Sequence, residues 1–82
     1  MILRQLGSNQ TELSLNNGNS IFFSYETPVA GFDAEDGCFK TETYYSKTTS
    51  RHINQYFKHV YAGYISIVPD NYIVDRVNHD VK

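Results

Sequence analysis

The histidines that could bind a metal ion are too far apart in this sequence to share one. His52 and His59 are seven residues apart in a stretch with helical periodicity, so they lie on one helix face about 10 Å from each other. Zinc binds imidazole over about 2 Å and cannot join two rings at that separation. His79 lies near the end of the chain. We therefore expect no metal site.

The candidate nucleophiles lack a neighbouring base. Ser50 and His52 are two residues apart, which places them on different sides of a helix. Cys38 is the single cysteine, so the chain has no internal disulfide, and we interpret this residue as a small strand residue. No catalytic serine or cysteine is predicted.

Paired carboxylates are the remaining route to catalysis. Glu42 could meet Asp33 across a hairpin, but the adjacent Lys40 favours an ordinary surface charge cluster. The glycine patterns of phosphate-binding and dinucleotide-binding loops are absent. The sequence therefore predicts no catalytic residues, no cofactor and no enzymatic activity.

The composition indicates one small domain that spans residues 1–82. The chain has a net charge of −2, seven Tyr, five Phe and no Trp, and a domain of this size buries only about 60% of its unfolded surface. No apolar run approaches the roughly 20 residues that cross a bilayer, and no secretory signal pattern is present. We expect a cytoplasmic protein with no membrane partner.

Alternating apolar residues predict the first strands of a sheet, at residues 2–6, 11–15 and 20–25. The turn between the second and third strands is best built as a three-residue loop, Asn16-Asn17-Gly18, with Gly18 in the left-handed conformation. This loop pairs Leu13 with Ile21. It places five apolar side chains on one face, namely Leu13, Leu15, Ile21, Phe23 and Tyr25.

A second turn signal, Asp36-Gly37, predicts a hairpin between "VAGFD" and "CFKTETYY". Pairing through this turn places one set of residues on a common face, namely Ala30, Phe32, Phe39, Thr41, Thr43 and Tyr45. Another set faces solvent, namely Lys40, Glu42 and Tyr44. A short apolar strand at residues 64–68 follows later and is expected to be buried.

Apolar residues at helical spacing predict a main helix over about residues 49–62; they are Ile53, Tyr56, Phe57 and Val60. Ser46, Thr48 or Thr49 would cap its beginning, and Gly63 would end it. A weaker helix follows Asp70. The predicted fold is α+β: an antiparallel β-meander of four to five strands, the main helix packed on it, a late strand and a short C-terminal helix.

The stretch "YYSKTTSRHINQYF", residues 44–57, supplies the candidate partner-binding residues. They are Tyr44, Ser46, Lys47, Thr48, Ser50, Arg51, His52, Asn54 and Lys58. Tyrosine and arginine often anchor interfaces. The alternatives are a solvated helix face, or an architectural link in which Thr48, Thr49, His52 and Asn54 bond to residues 24–27.

The same stretch carries a family resemblance. The pattern Ser-Tyr-x-Thr-Pro-Val-Ala matches residues 24–30, and Tyr-Ser-x-Thr-Thr-Ser-x-His-Ile-Asn matches residues 45–54. With the opening "LGSNQTELSLNNG", these motifs resemble a small uncharacterised domain of tailed phages and prophages. The resemblance implies a phage or mobile-element origin and an accessory role, and it brings no activity with it.

These observations together favour a non-catalytic accessory protein that binds a host protein or ribonucleoprotein, with inhibition of host defence (anti-CRISPR-like) as one role. The first alternative is a small nucleic-acid-binding module using Lys47, Arg51 and Lys58, although few cations on an acidic domain make a small footprint. The second is a homodimeric structural protein, which an exposed sheet edge would favour.

Overall fold

The computed structural model describes residues 2–15, 18–35, 37–59 and 64–81. Six strands form one sheet in the order in which they follow each other along the chain. The strands are β1 (Ile2–Gly7), β2 (Gln10–Ser14), β3 (Ser20–Ser24), β4 (Thr27–Asp33), β5 (Gly37–Thr41) and β6 (Ile65–Val68). The helices are α1 (Lys47–His59) and α2 (Asp70–Val81). The predicted α+β class, the antiparallel meander, the late strand and both helices are confirmed.

The register predicted for the first hairpin is confirmed. Leu13 lies opposite Ile21, and Gly18 has a φ of +89°, which costs glycine little because it has no Cβ. Asn16 and Asn17 lie outside the described residues. Tyr25 departs from the prediction, because it occupies the turn after β3 with a φ of +59° and is about half exposed.

The second hairpin has a different register from the predicted one. Asp33 lies opposite Gly37, so the loop holds three residues, of which Asp36 lies outside the described ones. A two-residue Asp36-Gly37 loop would shift the pairing by an odd number of residues, and such a shift exchanges the faces of the strand. The prediction that Ala30 and Phe39 share a face is therefore wrong, since Phe39 pairs with Gly31.

The sheet buries apolar side chains on both faces. The α1 face holds Phe22, Val29, Ala30, Ile53 and Tyr56, with Phe57 packed against them. The α2 face holds Leu13, Leu15, Ile21, Phe39 and Ile73, bordered by Phe23, Val68, Tyr72 and Val77. Because successive strand residues point to opposite sides, the two helices flank the sheet. The C-terminal helix thus covers the apolar face that the first hairpin predicts.

Helix α1 begins two residues earlier than predicted. The Ser46 Oγ accepts a hydrogen bond from the Thr49 backbone N–H over 3.0 Å, so Ser46 is the capping residue among the three candidates. Residues 60–62 of the predicted helix, including Val60, and Gly63 lie outside the described residues. Neither helix, within the residues that the structure describes, is long and apolar enough to cross a membrane.

Strand β6 joins the sheet parallel to β5, with Cys38 opposite Ile65. A parallel neighbour needs a crossover connection, and α1 lies in that connection. The strand is the last in the sheet, beyond the part that α1 covers. The burial predicted for this segment is therefore wrong at two positions, since Tyr64 is 80% and Ile67 is 66% exposed.

Candidate functional site

Three side chains from the two sequence motifs, at residues 24–30 and 45–54, meet between β3 and α1. The Ser24 Oγ lies 2.9 Å from His52 Nδ1 and 3.1 Å from Thr49 Oγ1, and all three residues are buried. The Tyr25 ring lies over His52 with 5.8 Å between ring centroids. This cluster supports the architectural interpretation for Thr49 and His52, because its hydrogen bonds tie the start of the helix to the end of a strand.

The Ser24–His52 pair has the composition of a nucleophile and its base, but not the accessibility. Ser24 is 1% exposed, so a substrate cannot approach its Oγ in this conformation. Cys38 is also buried, and burial raises the pKa of its thiol, which lowers the fraction of the reactive thiolate. The Ser24 and Cys38 side chains therefore pack in the interior, where neither is exposed as a nucleophile.

The two carboxylates considered as an acid–base pair, Asp33 and Glu42, lie apart. Asp33 forms an ion pair with Arg76 of α2, and its other oxygen accepts the Glu35 N–H. Glu42 is exposed beyond the far end of β5. Within the described ranges, no three His, Cys, Asp or Glu side chains are grouped to hold a metal ion.

The remaining candidate residues are mostly at the surface. Six are exposed, namely Tyr44, Lys47, Thr48, Arg51, Asn54 and Lys58, and two are partly buried, namely Ser46 and Ser50. Of these, Lys47, Arg51, Asn54 and Lys58 follow the spacing i, i+4, i+7 and i+11. They form one stripe about 17 Å long on α1. Helix α1 contains no Asp or Glu, so this stripe, the cationic ridge, is positive on a chain whose net charge is −2.

A groove of about 280 Å³ runs beside the cationic ridge, between α1 and β6. Its lining residues come from β5 and the segment after it, from α1 and from β6: Lys40, Thr41, Glu42, Thr43, Tyr44, Ser50, Ile53, Asn54 and Ile67. Asn54 therefore belongs to both the ridge and this groove, the α1–β6 groove. Exposed apolar surface in the groove comes from Ile67 and from Tyr44, whose side chain is 68% exposed.

The segment that carries Tyr44 is anchored to the start of α2 by hydrogen bonds. The Asp70 carboxylate, at the start of α2, accepts hydrogen bonds from Thr41, from Thr43 over 3.0 Å and from Tyr45 over 2.6 Å. The bond to Asp70 raises the pKa of Tyr45 to about 12, and the hydroxyl donors, Thr41 first, lower the pKa of Asp70. Thr43 and Tyr45, the residues on either side of Tyr44, are thus anchored to Asp70, and the Tyr44 side chain between them is exposed.

Sequence reasoning placed Thr41, Thr43 and Tyr45 on one face, and the structure does bring these three hydroxyls together. The exposure of Ile67 and Tyr64 was not predicted, because the whole strand was expected to be buried. The signal was available, because a four-residue strand followed by Pro69 is typical of a sheet edge.

Comparison with known proteins identifies the family of this chain. No curated protein matches the chain, and no solved structure matches it. A family model described as "Family of unknown function (DUF8033)" matches residues 1–69. The match covers the whole sheet, α1, the buried Ser24–His52 link and the α1–β6 groove, and it ends just before α2. The chain therefore belongs to this family of unknown function.

Proposed function

We propose that this chain is a non-catalytic accessory protein of a phage or mobile element, which binds an acidic surface of a host protein. The observation that carries the proposal is the cationic ridge on α1 beside the α1–β6 groove. The phage origin rests on the resemblance of residues 24–57 to a phage and prophage domain. A host protein within a ribonucleoprotein fits the same surface.

The groove and the ridge have different parts in the proposed binding. Exposed Ile67 and Tyr44, with Tyr64 nearby in sequence, supply the apolar and aromatic contacts that provide most of the affinity in protein interfaces. Lys47, Arg51 and Lys58 form the rim, where charges raise the association rate and select partners of opposite charge. An acidic partner with an apolar centre is complementary to both.

Inhibition of host defence is the role that we propose for this binding. A small domain that binds without chemistry acts by covering a surface that its partner needs. This mode of action is consistent with the burial of Ser24, His52 and Cys38, because buried side chains do not contact a partner and binding then depends on the surface residues. A host defence complex such as a CRISPR effector is the expected kind of target.

Affinity capture from a host lysate tests the proposal with matched variants. Ile67→Asp places a charge in the groove, and the triple change K47E/R51E/K58E reverses the ridge. Val74→Asp on α2, where Val74 is 42% exposed, is the control for an added surface charge. We expect the wild type and V74D to capture the same acidic protein and the other two variants to lose it. Equal capture by all variants, or no capture by the wild type, would contradict the proposal.

A second candidate function is nucleic-acid binding through the same ridge. Three cations that contact phosphates predict a slope of about −2 to −3 for log K against log salt. Gel retardation of DNA and RNA at low salt measures this directly. Retardation that the triple ridge variant abolishes and I67D retains would favour the nucleic-acid function over protein binding.

A further inference from the structure

A second pocket, of about 700 Å³, lies where the β1–β2 turn meets the β3–β4 turn. The residues that line it form the turn pocket: Gln5, Asn9, Thr11, Tyr25, Glu26 and Thr27. Its volume falls within the range of small-molecule sites, about 300–1,000 Å³. The turn pocket shares none of its lining residues with the α1–β6 groove, and the proposed function gives it no role.

Helix α2 leaves this corner of the sheet uncovered. The helix begins at Asp70, which accepts a hydrogen bond from Thr41 at the end of β5. It then reaches Asp33 through Arg76, and Asp33 is the end of β4 that lies away from the β3–β4 turn. Among the described residues, none from α2 lines the turn pocket. The pocket is therefore open to a ligand.

Tyr25 supplies the aromatic ring of the turn pocket from a backbone conformation that tyrosine rarely adopts. Its φ is +59°, and its N–H donates to the Asn9 carbonyl over 2.7 Å. A bulky residue with a positive φ is strained, whereas glycine would avoid that cost. The ring lies against His52, and the residue is about half exposed. Strained residues are concentrated at functional sites, so the exposed tyrosine side chain indicates a use.

The other lining side chains have hydrogen-bonding capacity to spare. Within the described ranges, the side chains of Asn9, Thr11, Glu26 and Thr27 make no hydrogen bond or ion pair to the protein. Gln5 donates one bond, from Nε2 to the Gly7 carbonyl over 3.2 Å. Carboxamides and hydroxyls both donate and accept, and a carboxylate accepts through two oxygens. The pocket thus presents several donors and acceptors beside one ring.

The charges of the turn pocket disfavour an ionic ligand. Among the described residues that line it there is no Lys, Arg or His, and Glu26 carries a negative charge. Phosphate and carboxylate groups are bound most strongly by cations, which this pocket lacks. Cationic ligands are held in cages of aromatic rings, and the pocket has a single ring. The ligand that fits is therefore neutral and rich in hydroxyl groups.

We infer that the turn pocket binds a neutral saccharide. The C–H groups on one face of a sugar ring pack against the Tyr25 ring, because the face of an aromatic ring is negative. The sugar hydroxyls bond to the carboxamides and threonines, and the Glu26 carboxylate accepts from two neighbouring hydroxyls. Glycoside hydrolysis requires a pair of carboxyl groups, and Glu26 is the single carboxylate among the described lining residues. The saccharide is bound and not cleaved.

Saccharide binding goes beyond the proposed function, and the two can fail separately. The variants I67D and K47E/R51E/K58E change the α1–β6 groove and the cationic ridge, so both should bind the saccharide as the wild type does. A variant of the turn pocket should still capture the host protein.

Heteronuclear NMR titration of the full chain tests the inference. The probes are the disaccharides maltose, cellobiose, lactose and chitobiose at tens of millimolar, with inorganic phosphate and choline as an anionic and a cationic probe. We expect at least one disaccharide to shift the amide signals of Asn9, Thr11 and Glu26 in a saturable way, and phosphate and choline to leave them unchanged. The inference would be overturned if no disaccharide gave a saturable shift at these residues, or if only phosphate or choline did.

Glycine substitutions separate the side chains of the turn pocket from its backbone. Asn9 and Tyr25 both have a positive φ, of +60° and +59°, which glycine adopts readily. Asn9→Gly and Tyr25→Gly therefore remove a side chain and keep the turn. We expect each variant to bind the disaccharide about tenfold more weakly or worse, with the circular dichroism spectrum of the wild type.

Tyr44→Ala is the matched control, because it removes an exposed tyrosine from the α1–β6 groove and should bind the disaccharide normally. Asn9→Gly alone decides the test if Tyr25→Gly fails to fold. Undiminished binding by a folded Asn9→Gly variant, or an equal loss in Tyr44→Ala, would overturn the inference.

Discussion

The Tyr56 hydroxyl on α1 donates a hydrogen bond to the Glu12 Oε2 on β2 over 2.8 Å, and both residues are almost fully buried. The other Glu12 oxygen pairs with Arg4 over 2.8 Å. The Tyr56 ring stacks on Phe22 with 4.4 Å between centroids. A buried carboxylate is thus balanced by one hydroxyl and one partly exposed guanidinium.

Replacing Tyr56 by Phe should lower the free energy of unfolding by about 1–3 kcal/mol. The ring still stacks on Phe22, but a Glu12 oxygen loses its donor inside the protein, and an unsatisfied buried group costs about that much. Urea unfolding measures the difference. Tyr44→Phe, at an exposed position, is the control and should change stability by less than about 0.5 kcal/mol. A Tyr56→Phe variant as stable as this control would show that the hydrogen bond contributes nothing.

Alkaline pH should destabilise the fold. Burial, with the bond to Glu12, raises the pKa of Tyr56 above its ordinary value of 10.0, and the bond to Asp70 raises the pKa of Tyr45 to about 12. A raised folded pKa gives stability that is complete below the unfolded pKa and declines as pH rises beyond it. We expect the urea midpoint to fall from about pH 10 upward, through about pH 12 for Tyr45.

The Tyr56→Phe variant separates the two tyrosines in that experiment. This variant should lose less stability than the wild type over the same rise in pH, because its buried ring has no proton to release. An identical pH dependence in the two proteins would rule out Tyr56 as a source of the effect.

Replacing Ser24 by Ala should destabilise the protein by about 1–3 kcal/mol, because it removes the shared partner of Thr49 and His52 inside the structure. Thermal unfolding measures the loss. Thr48→Ala, at an exposed neighbour, should shift stability by less than about 0.5 kcal/mol. His52→Ala should resemble Ser24→Ala. A stable His52→Ala protein that loses its binding partner would instead show that His52 recognises that partner.

Gly31→Ala should destabilise the sheet by about 1–3 kcal/mol or more, the usual cost of overpacking. A Cβ at this position would lie 2.4 Å from the Ser20 carbonyl oxygen and 2.6 Å from the Phe39 ring. A backbone oxygen in a strand cannot move aside easily. Gly7→Ala is the matched control, since its closest contact would be the flexible end of Gln10 at 2.9 Å. Equal stability of the two variants in urea would contradict the close packing at Gly31.

The first hairpin could be predicted because its loop length and its apolar alternation agree. The second hairpin could not, because "AEDG" permits two loop lengths and the strands beside it have apolar residues on both faces. The run Ile21-Phe22-Phe23 signals the same two-sided burial. In the structure, Ile21 packs on the α2 face and Phe22 on the α1 face.

The candidate site was predicted in part. The polar stripe of α1 follows from helical spacing alone, and Lys47, Arg51, Asn54 and Lys58 are exposed as that spacing requires. The α1–β6 groove depends on which strand lies at the sheet edge. That arrangement is a property of the whole topology, and a local pattern does not contain it.

The 44 residues that separate Glu12 from Tyr56 along the chain set an order of events during folding. The five meander strands close short loops, which costs little chain entropy, whereas the docking of α1 closes a long one. The meander should therefore assemble in the rate-limiting step, and α1 should dock afterwards. Tyr56→Phe and Ser24→Ala would then accelerate unfolding and leave the folding rate nearly unchanged. Stopped-flow measurements give both rates. A slower folding rate in these variants would show that α1 docks in the rate-limiting step.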